Sequence, residues 1–307
     1  MGLINRQHNA QQGESTARFF NFDCIDDVGV ARALVGAIEE WAKSHKMDRV
    51  IGPFGFSDKD PQGLQTEGFE HLPVIAAPSN PSYLPRLLET QSYTALFDCV
   101  SYRLPIPPQL PELYERIHRR IVRGGRATIL EFKKKRDLKP FIVPTFRLVN
   151  ETYADLFGFL PMSEKEMQSL AAQYLPVIDP EFVKLARNRE GNLVAFIVGI
   201  PDMSAGIQRA KGSLWPFGFL YLLAAAKRTT QLNLMLGAIR QDFRGTGVNV
   251  LLGKALFASA RARGFTHLDS HLVLESNRLM CSEYENLGGE VYKRFRVFQK
   301  SLADGHR

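Results

Sequence analysis

Apolar and polar positions change period several times along the chain, and each change marks an element. Residues 126–132 alternate around Ile129 and Phe132, the period of a strand with one covered face. Residues 138–157 read as helical, and a second helix opens at Ser163-Glu-Lys-Glu166. That is a capping box, in which the serine accepts from the third amide and the glutamate reaches back. Residues 182–186 and 193–200 are β-rich runs around Asn188-Arg-Glu-Gly-Asn192, a hairpin composition. An apolar segment at 214–226 is followed by a strand at 232–239 and a helix at 248–263 stopped by Gly264. A strand at 266–274, a helix at 278–287 stopped by Gly288-Gly289, and a strand at 291–299 complete the pattern. The predicted order is β-α-α-β-β, an apolar insert, then β-α-β-α-β.

The N-terminal half repeats the end of that order: strand 19–24, helix 28–46, strand 49–54, helix 81–90, strand 93–102. Between the halves lie Pro105, Pro107, Pro108 and Pro111, then a basic amphipathic stretch at 112–122 that ends at Gly124-Gly125. Prolines exclude helix and paired glycines free the backbone, so this reads as a linker carrying one short helix. The predicted fold class is α/β (α+β mixed sheet) with two copies of one fold in tandem. The first copy spans 1–107 without its opening elements, the linker 108–125, and the second copy 126–303.

The 307 residues, 45% hydrophobic and 23% charged, suit an ordinary soluble protein of about two domains. Cys24, Cys99 and Cys281 are too few and too scattered for a disulfide framework or a zinc cluster, which points to a reduced, cytoplasmic setting without metal. No apolar run reaches the roughly 18 to 20 residues of a membrane span, and the first residues lack the apolar core of a signal peptide. The longest uncharged stretch, 212–226, is broken by Pro216 and Gly218. A net charge of +7 suits an anionic partner. Arg116, Arg119, Arg120, Arg123 and Arg126 with Lys133-Lys-Lys-Arg136 form the densest positive region. Peripheral contact with an anionic membrane, a phosphorylated ligand and a solvated face all fit it. No nucleic-acid module accompanies it, so nucleic acid is not expected.

The most informative stretch is Ile239-Arg-Gln-Asp-Phe-Arg244-Gly245-Thr246-Gly247-Val248-Asn249, where a strand runs through a glycine turn into a helix. Free amides at a helix N-terminus, with the dipole behind them, bind phosphate, and Arg244 adds a guanidinium. An ordinary strand-to-helix turn with a surface arginine would read the same way. It is neither the G-x-G-x-x-G fingerprint nor a P-loop. The flanks add information. Here the sequence resembles the GNAT superfamily of acyl-CoA-dependent N-acyltransferases, whose pyrophosphate loop reads Gln/Arg-x-x-Gly-x-Gly/Ala. Arg244 and Gly247 match, and Asn249 departs at the third position. Asn277, Tyr284 and Leu287-Gly288 match the downstream Asn, Tyr and Leu-Gly of that superfamily, so the resemblance covers about 126–300.

The resemblance implies acetyl-CoA or a longer acyl-CoA as substrate. Its diphosphate would lie on Arg244, Gly245, Thr246, Gly247, Val248 and Asn249, and its pantetheine on the backbone of Leu236, Gly237, Ala238 and Ile239 and on the side chain of Asn277. Tyr284 would protonate the leaving thiolate. Taken singly, Asn277 also reads as a helix N-cap and Tyr284 as a core ring. Phe19-Phe-Asn-Phe22, Ile51-Gly-Pro-Phe54, Gly68-Phe69, Asn80-Pro-Ser-Tyr83, residues 212–218 and residues 292–300 are similar to a bacterial family of tandem GNAT proteins that includes ceramide synthases. That resemblance implies acyl transfer to a primary amine, with a long-chain, sphingoid-type amine as the lipid-metabolic version. Family members carry further sequence before the point matching Ile4-Asn5.

Amine acylation needs a group that takes a proton. Asp269, His271 and Glu275 would share one face of a regular strand with His267. Glu275, just before Asn277, ranks first and His271 second; a helix cap and a half-buried histidine are the plainer readings. The N-terminal half has Asp26-Asp27 where a phosphate would sit and Leu87-Leu88-Glu89 where Tyr284 would be, so it is expected not to bind CoA. Residues 212–226, rich in aromatics, suit an acyl or acceptor pocket wall or a core helix. A degenerate GNAT scaffold that binds a partner or lipid without catalysis is the rival.

Overall fold

The computed structural model describes residues 1–154 and 156–302. The N-terminal half contains β1 (Gly2–Leu3), α1 (Arg6–Gln12), β2 (Thr16–Phe19), α2 (Val28–Ser44), β3 (Arg49–Gly52), β4 (Leu64–Glu67), α3 (Leu84–Glu89) and β5 (Thr94–Pro105). The linker helix is α4 (Glu112–Gly124). The C-terminal half follows with β6 (Ala127–Glu131), α5 (Ile142–Thr152), α6 (Glu164–Tyr174), β7 (Val183–Asn188), β8 (Leu193–Pro201), α7 (Ser204–Ala210) and α8 (Gly218–Arg228). Its remaining elements are β9 (Gln231–Ile239), α9 (Val248–Ala262), β10 (His267–Asp269), β11 (Val273–Leu274), α10 (Arg278–Asn286) and β12 (Glu290–Ser301).

Most of the periodicity expectations hold. Ser163 and Glu166 form both halves of the capping box that starts α6. Three expectations need correction. The strand expected at 19–24 is β2, ending at Phe19 rather than beginning there, because Asn21 takes a positive φ and turns the chain. The strand expected at 266–274 is broken into β10 and β11 by His271, whose φ of 56° lies in the left-handed region. The stretch 212–226 is no core helix: it forms α8 and the approach to it, with Trp215 81% and Phe217 64% exposed.

The described strands join in one sheet, in the order β1-β2-β3-β12-β5-β10-β9-β8-β7-β6. In each half two parallel strands lie side by side, β2 with β3 and β9 with β10. Next to the first pair lies β12, the last strand of the C-terminal half, and next to the second lies β5, the last strand of the N-terminal half. The halves have therefore exchanged their final strands. β5 and β12 are antiparallel to each other at the centre, from Glu290 opposite Arg103 to Gln299 opposite Thr94. The units expected at 1–107 and 126–303 share one sheet, and residue 303 lies outside the described residues.

Packing follows from this arrangement. Val100, Tyr102 and Leu104 of β5 are buried with Leu256, Phe257 and Ala260 of α9 and Leu232 of β9. Phe298 of β12 is buried with Ala31 and Val35 of α2 and Leu87 of α3. Each exchanged strand thus sits in the apolar core of the opposite half. That burial ties the linker-separated halves into one cooperative unit.

Candidate active site

The parallel pair β9–β10 is short. Gln231, Leu232 and Asn233 lie opposite His267, Leu268 and Asp269, and there the pairing stops. Two backbone features end it. On β9, Val198 faces Leu236 while Gly199 faces Leu234, so Met235 is an unpaired bulge residue that bends the strand. On the other side the chain turns at His271, whose amide donates to Asp269 Oδ1 at 2.7 Å. Beyond Asn233, β9 keeps β8 on one side and, among the described residues, has no strand on the other. The edge expected at Leu236, Gly237, Ala238 and Ile239 is where the strands part. One of its groups is already engaged, since the Tyr153 hydroxyl donates to the Gly237 carbonyl at 2.8 Å.

Past Ile239 the chain enters the turn. Gly245 and Gly247 have φ of 72° and 90°, backbone that a side chain disfavours. A Cβ on Gly247 would stand 2.5 Å from Ile121 Cδ1 and 2.6 Å from Ile117 Cγ2 of α4, whereas Gly245 faces open space. Among the described residues, the amides of Gly245, Gly247, Val248 and Asn249 donate to no acceptor. Four unengaged donors around one turn, at the positive end of α9, make an anion nest. Arg244 is exposed beside it, with Nε donating to the Ile239 carbonyl at 3.3 Å. Because Ile117 and Ile121 dock at Gly247, the helix bearing the exposed Arg116, Arg119, Arg120 and Arg123 lies against this turn.

Asn249, the residue that departs from the motif, donates from Nδ2 to Glu283 Oε1 of α10 at 2.9 Å. Asn277 caps α10, accepting from the Met280 amide at 3.3 Å, which is the plainer of its two readings. Tyr284 is half-buried, its ring 5.4 Å from that of Tyr102. Burial, with Tyr153 and Asp269 nearby, holds its hydroxyl above the ordinary phenol value. It stays protonated and able to donate. The Tyr153 hydroxyl is likewise pushed up to about 12 by burial.

The expected proton acceptors separate. Glu275 pairs with Arg294 at 2.8 Å, and Arg294 also meets Glu67 at 3.3 Å. The carboxylate ranked first as proton acceptor is thus engaged in an ion pair. The break after Asp269 also undoes the strand alternation that put these residues on one face. His271 Nε2 lies 3.2 Å from the Ile75 carbonyl, which only accepts, so Nε2 carries the proton and Nδ1 is left as the acceptor. Burial holds this imidazole below its ordinary pKa and keeps it neutral.

Asp269 is fully buried, and burial raises its carboxyl pKa. Its Oδ2 accepts from Tyr292, the residue left unpaired by the β5–β12 register shift between Val291 and Lys293. Lys293, also buried, donates to the Leu72 carbonyl at 2.5 Å. Sequence reasoning weighed Asp269 without ranking it and missed Tyr153, Tyr292 and Met235 as site residues. Tyr153 has no local motif, Tyr292 stood in a stretch that carried only the resemblance, and the bulge exists only against β8.

The N-terminal half contacts these residues. Its residues 72–75 give the two carbonyls just named, and the Asp58 amide donates to Gly158 at 3.2 Å, next to the turn after Tyr153. Its own strand-to-helix turn is closed to anions, because Asp27 Oδ1 accepts from Gly29 at 2.7 Å and Val30 at 3.0 Å. Leu87 and Leu88 are fully buried apolar residues. Among the described residues no group of three or more His, Cys, Asp or Glu side chains is arranged to hold a metal ion, and no helix is long and apolar enough to cross a membrane.

Comparison with known proteins places this architecture. No family model matches the chain. It is 28% identical over 312 residues to Protein YghO of Escherichia coli, covering 97% of this chain and 77% of that one. It is 27% identical over 300 residues to a bacterial ceramide synthase of Caulobacter vibrioides, covering 95% and 77%. Among solved structures, a GCN5-related N-acetyltransferase from Sphaerobacter thermophilus superimposes with a TM-score of 0.52 at 16% identity, over 98% of this chain and 76% of the other. A tandem GNAT protein from the clavulanic acid pathway gives 0.51 at 13% identity, over 95% and 77%. The exchanged sheet, the parted parallel strands and these likenesses agree: the chain has the fold of the tandem GNAT proteins.

Proposed function

We propose that this protein transfers an acyl group from a CoA thioester to a primary amine, in a ternary complex on its C-terminal half. The observation that carries the reading is the set of four unengaged amides at Gly245, Gly247, Val248 and Asn249, at the end of a strand that has left its neighbour. A diphosphate accepts from the nest and pairs with Arg244, while the arginines of α4 attract the CoA 3′-phosphate. The amide-bearing pantetheine arm runs along the edge from Leu236 to Ile239, with the side-chain Nδ2 of Asn277 as a further donor to it. The thioester carbonyl then lies near the Met235 bulge, where a backbone N–H polarises it.

The amine nitrogen attacks the carbonyl carbon and loses a proton to Nδ1 of His271. The carbon–sulfur bond breaks as Tyr284 gives its proton to the sulfur, and both groups reset through solvent. Asp269 positions His271 by holding its amide and favouring the imidazolium that forms. A long-chain, sphingoid-type amine is the acceptor that the likeness to a bacterial ceramide synthase supports. Release of free thiol over a panel of acyl-CoAs and amines tests the reading: turnover that requires both partners is expected, and no turnover with any pair would overturn it.

One observation favours the rival scaffold reading, in which the nest binds without chemistry: Tyr153 occupies the Gly237 carbonyl. Melting temperature separates the two. Stabilisation by acyl-CoA with no thiol release in the full panel supports the scaffold.

A further inference from the structure

The hairpin α7–α8 is inserted between β8 and β9, and its two helices pack chiefly on each other. A Cβ on Gly206 would meet the Tyr221 carbonyl at 2.6 Å, so the helices touch backbone to backbone there. That contact leaves the opposite face uncovered. Leu214, Trp215, Phe217, Phe219, Leu220 and Leu223 are all exposed. Soluble surfaces seldom present so continuous an apolar patch without a use.

The charges around the patch say what covers it. From residue 203 to residue 230 there is no Asp or Glu, while Arg209, Lys211, Lys227 and Arg228 stand exposed at its margins. The Arg209 guanidinium lies over the Tyr221 ring at 4.5 Å, a cation set directly against the aromatic side chains. Aromatic and aliphatic side chains on one face, cations at the edge and no acid describe an interfacial helix pair on anionic lipid. A second copy is a poor occupant, because a two-fold contact would set the four cations against the same four. The net charge of +7 adds to that repulsion and favours an anionic surface.

We infer that α7–α8 docks this protein on an anionic bilayer, inserting Trp215 and Phe217 to the headgroup–acyl boundary. This goes beyond the acyl-transfer reading and does not need it. The placement is informative all the same. The hairpin springs from Asp202, whose Oδ1 accepts from Ser204 at 2.6 Å and from Asn233 at 3.0 Å. Asn233 is opposite Asp269, at the point where β9 and β10 part. An amphiphile leaving the bilayer beside the hairpin meets the protein next to that opening.

Two readouts test the inference without turnover. Trp41 and Trp215 are the two tryptophans of the chain, so in Trp41→Phe the emission reports Trp215 alone. With phosphatidylglycerol–phosphatidylcholine vesicles, a blue shift and co-sedimentation are expected, both weakened by raising salt from about 0.1 to 0.5 M. Trp215→Ser/Phe217→Ser, and separately the replacement of all four cations by glutamine, should each lower binding by about tenfold or more. The melting temperature and its rise with CoA should be unchanged in both variants, since the substituted side chains are exposed and outside the nest. Wild-type protein that ignores anionic vesicles would overturn the inference. So would undiminished vesicle binding by Trp215→Ser/Phe217→Ser, or a concentration-dependent dimer that buries Trp215 in their absence.

Discussion

Asn249 Nδ2 donates to Glu283 Oε1 at 2.9 Å, joining the helix that begins at the anion nest to the helix that carries Tyr284. The residue at which the loop departs from its motif therefore has a structural task. Asn249→Ala, which restores a motif residue, should leave CoA affinity within about twofold and lower stability by about 0.5–1.5 kcal/mol. Urea unfolding and CoA titration on one variant check both. A large loss of CoA affinity would mean that the side chain itself holds the phosphate.

Gly247 sits between the nest and α4. Gly247→Ala introduces a Cβ at φ 90° that collides with Ile121 and Ile117, so both backbone strain and overpacking act. A loss of about 1–3 kcal/mol of stability and weaker CoA binding are expected, whereas Gly245→Ala, facing open space, should lose only the strain part.

Tyr284 and His271 have separable signatures. On the proposed chemistry, in which the Tyr284 hydroxyl protonates the leaving sulfur, Tyr284→Phe should reduce kcat by about 100-fold or more with little change in KM. His271 must be neutral to accept a proton, and burial lowers its pKa, so kcat/KM should fall only as pH drops below the ordinary imidazole value of about 6.5. The stability sign agrees: the unfolded chain takes up that proton first, so stability is lost as pH falls through the same window. His271→Gln should remove the acid limb together with most of the rate, and Glu275→Gln should change the rate by less than about threefold, since Glu275 is held by Arg294.

Tyr153 competes for the edge of β9. In Tyr153→Phe the Gly237 carbonyl is released to the pantetheine arm, and acyl-CoA should bind about 2- to 10-fold more tightly, the worth of one hydrogen bond. Weaker binding would mean that the Tyr153 hydroxyl contacts the substrate.

What was legible in the sequence was local. The period of the apolar residues located the helices and most strands, and the glycines around Arg244 located the nest, because turn geometry and free amides are properties of a few adjacent residues. The exchange of β5 and β12 was not legible, since nothing in either strand says which neighbour it will take. The surroundings of Glu275 and His271 were not legible for the same reason. Arg294 reaches Glu275 from β12, and the Ile75 carbonyl that fixes the His271 tautomer comes from the other half of the chain. For residues 212–226 a pocket wall and a core helix both fitted the sequence, and their exposure was not legible because apolarity alone does not say what covers a segment.

Calorimetric titration of CoA against pantetheine tests the central claim most directly, because the two differ by the diphosphate and its nucleotide. If the turn from Arg244 to Asn249 grips the diphosphate, CoA should bind at least about 100-fold more tightly, and Arg244→Glu should abolish most of that difference. Equal affinities, or a difference that survives Arg244→Glu intact, would contradict the account.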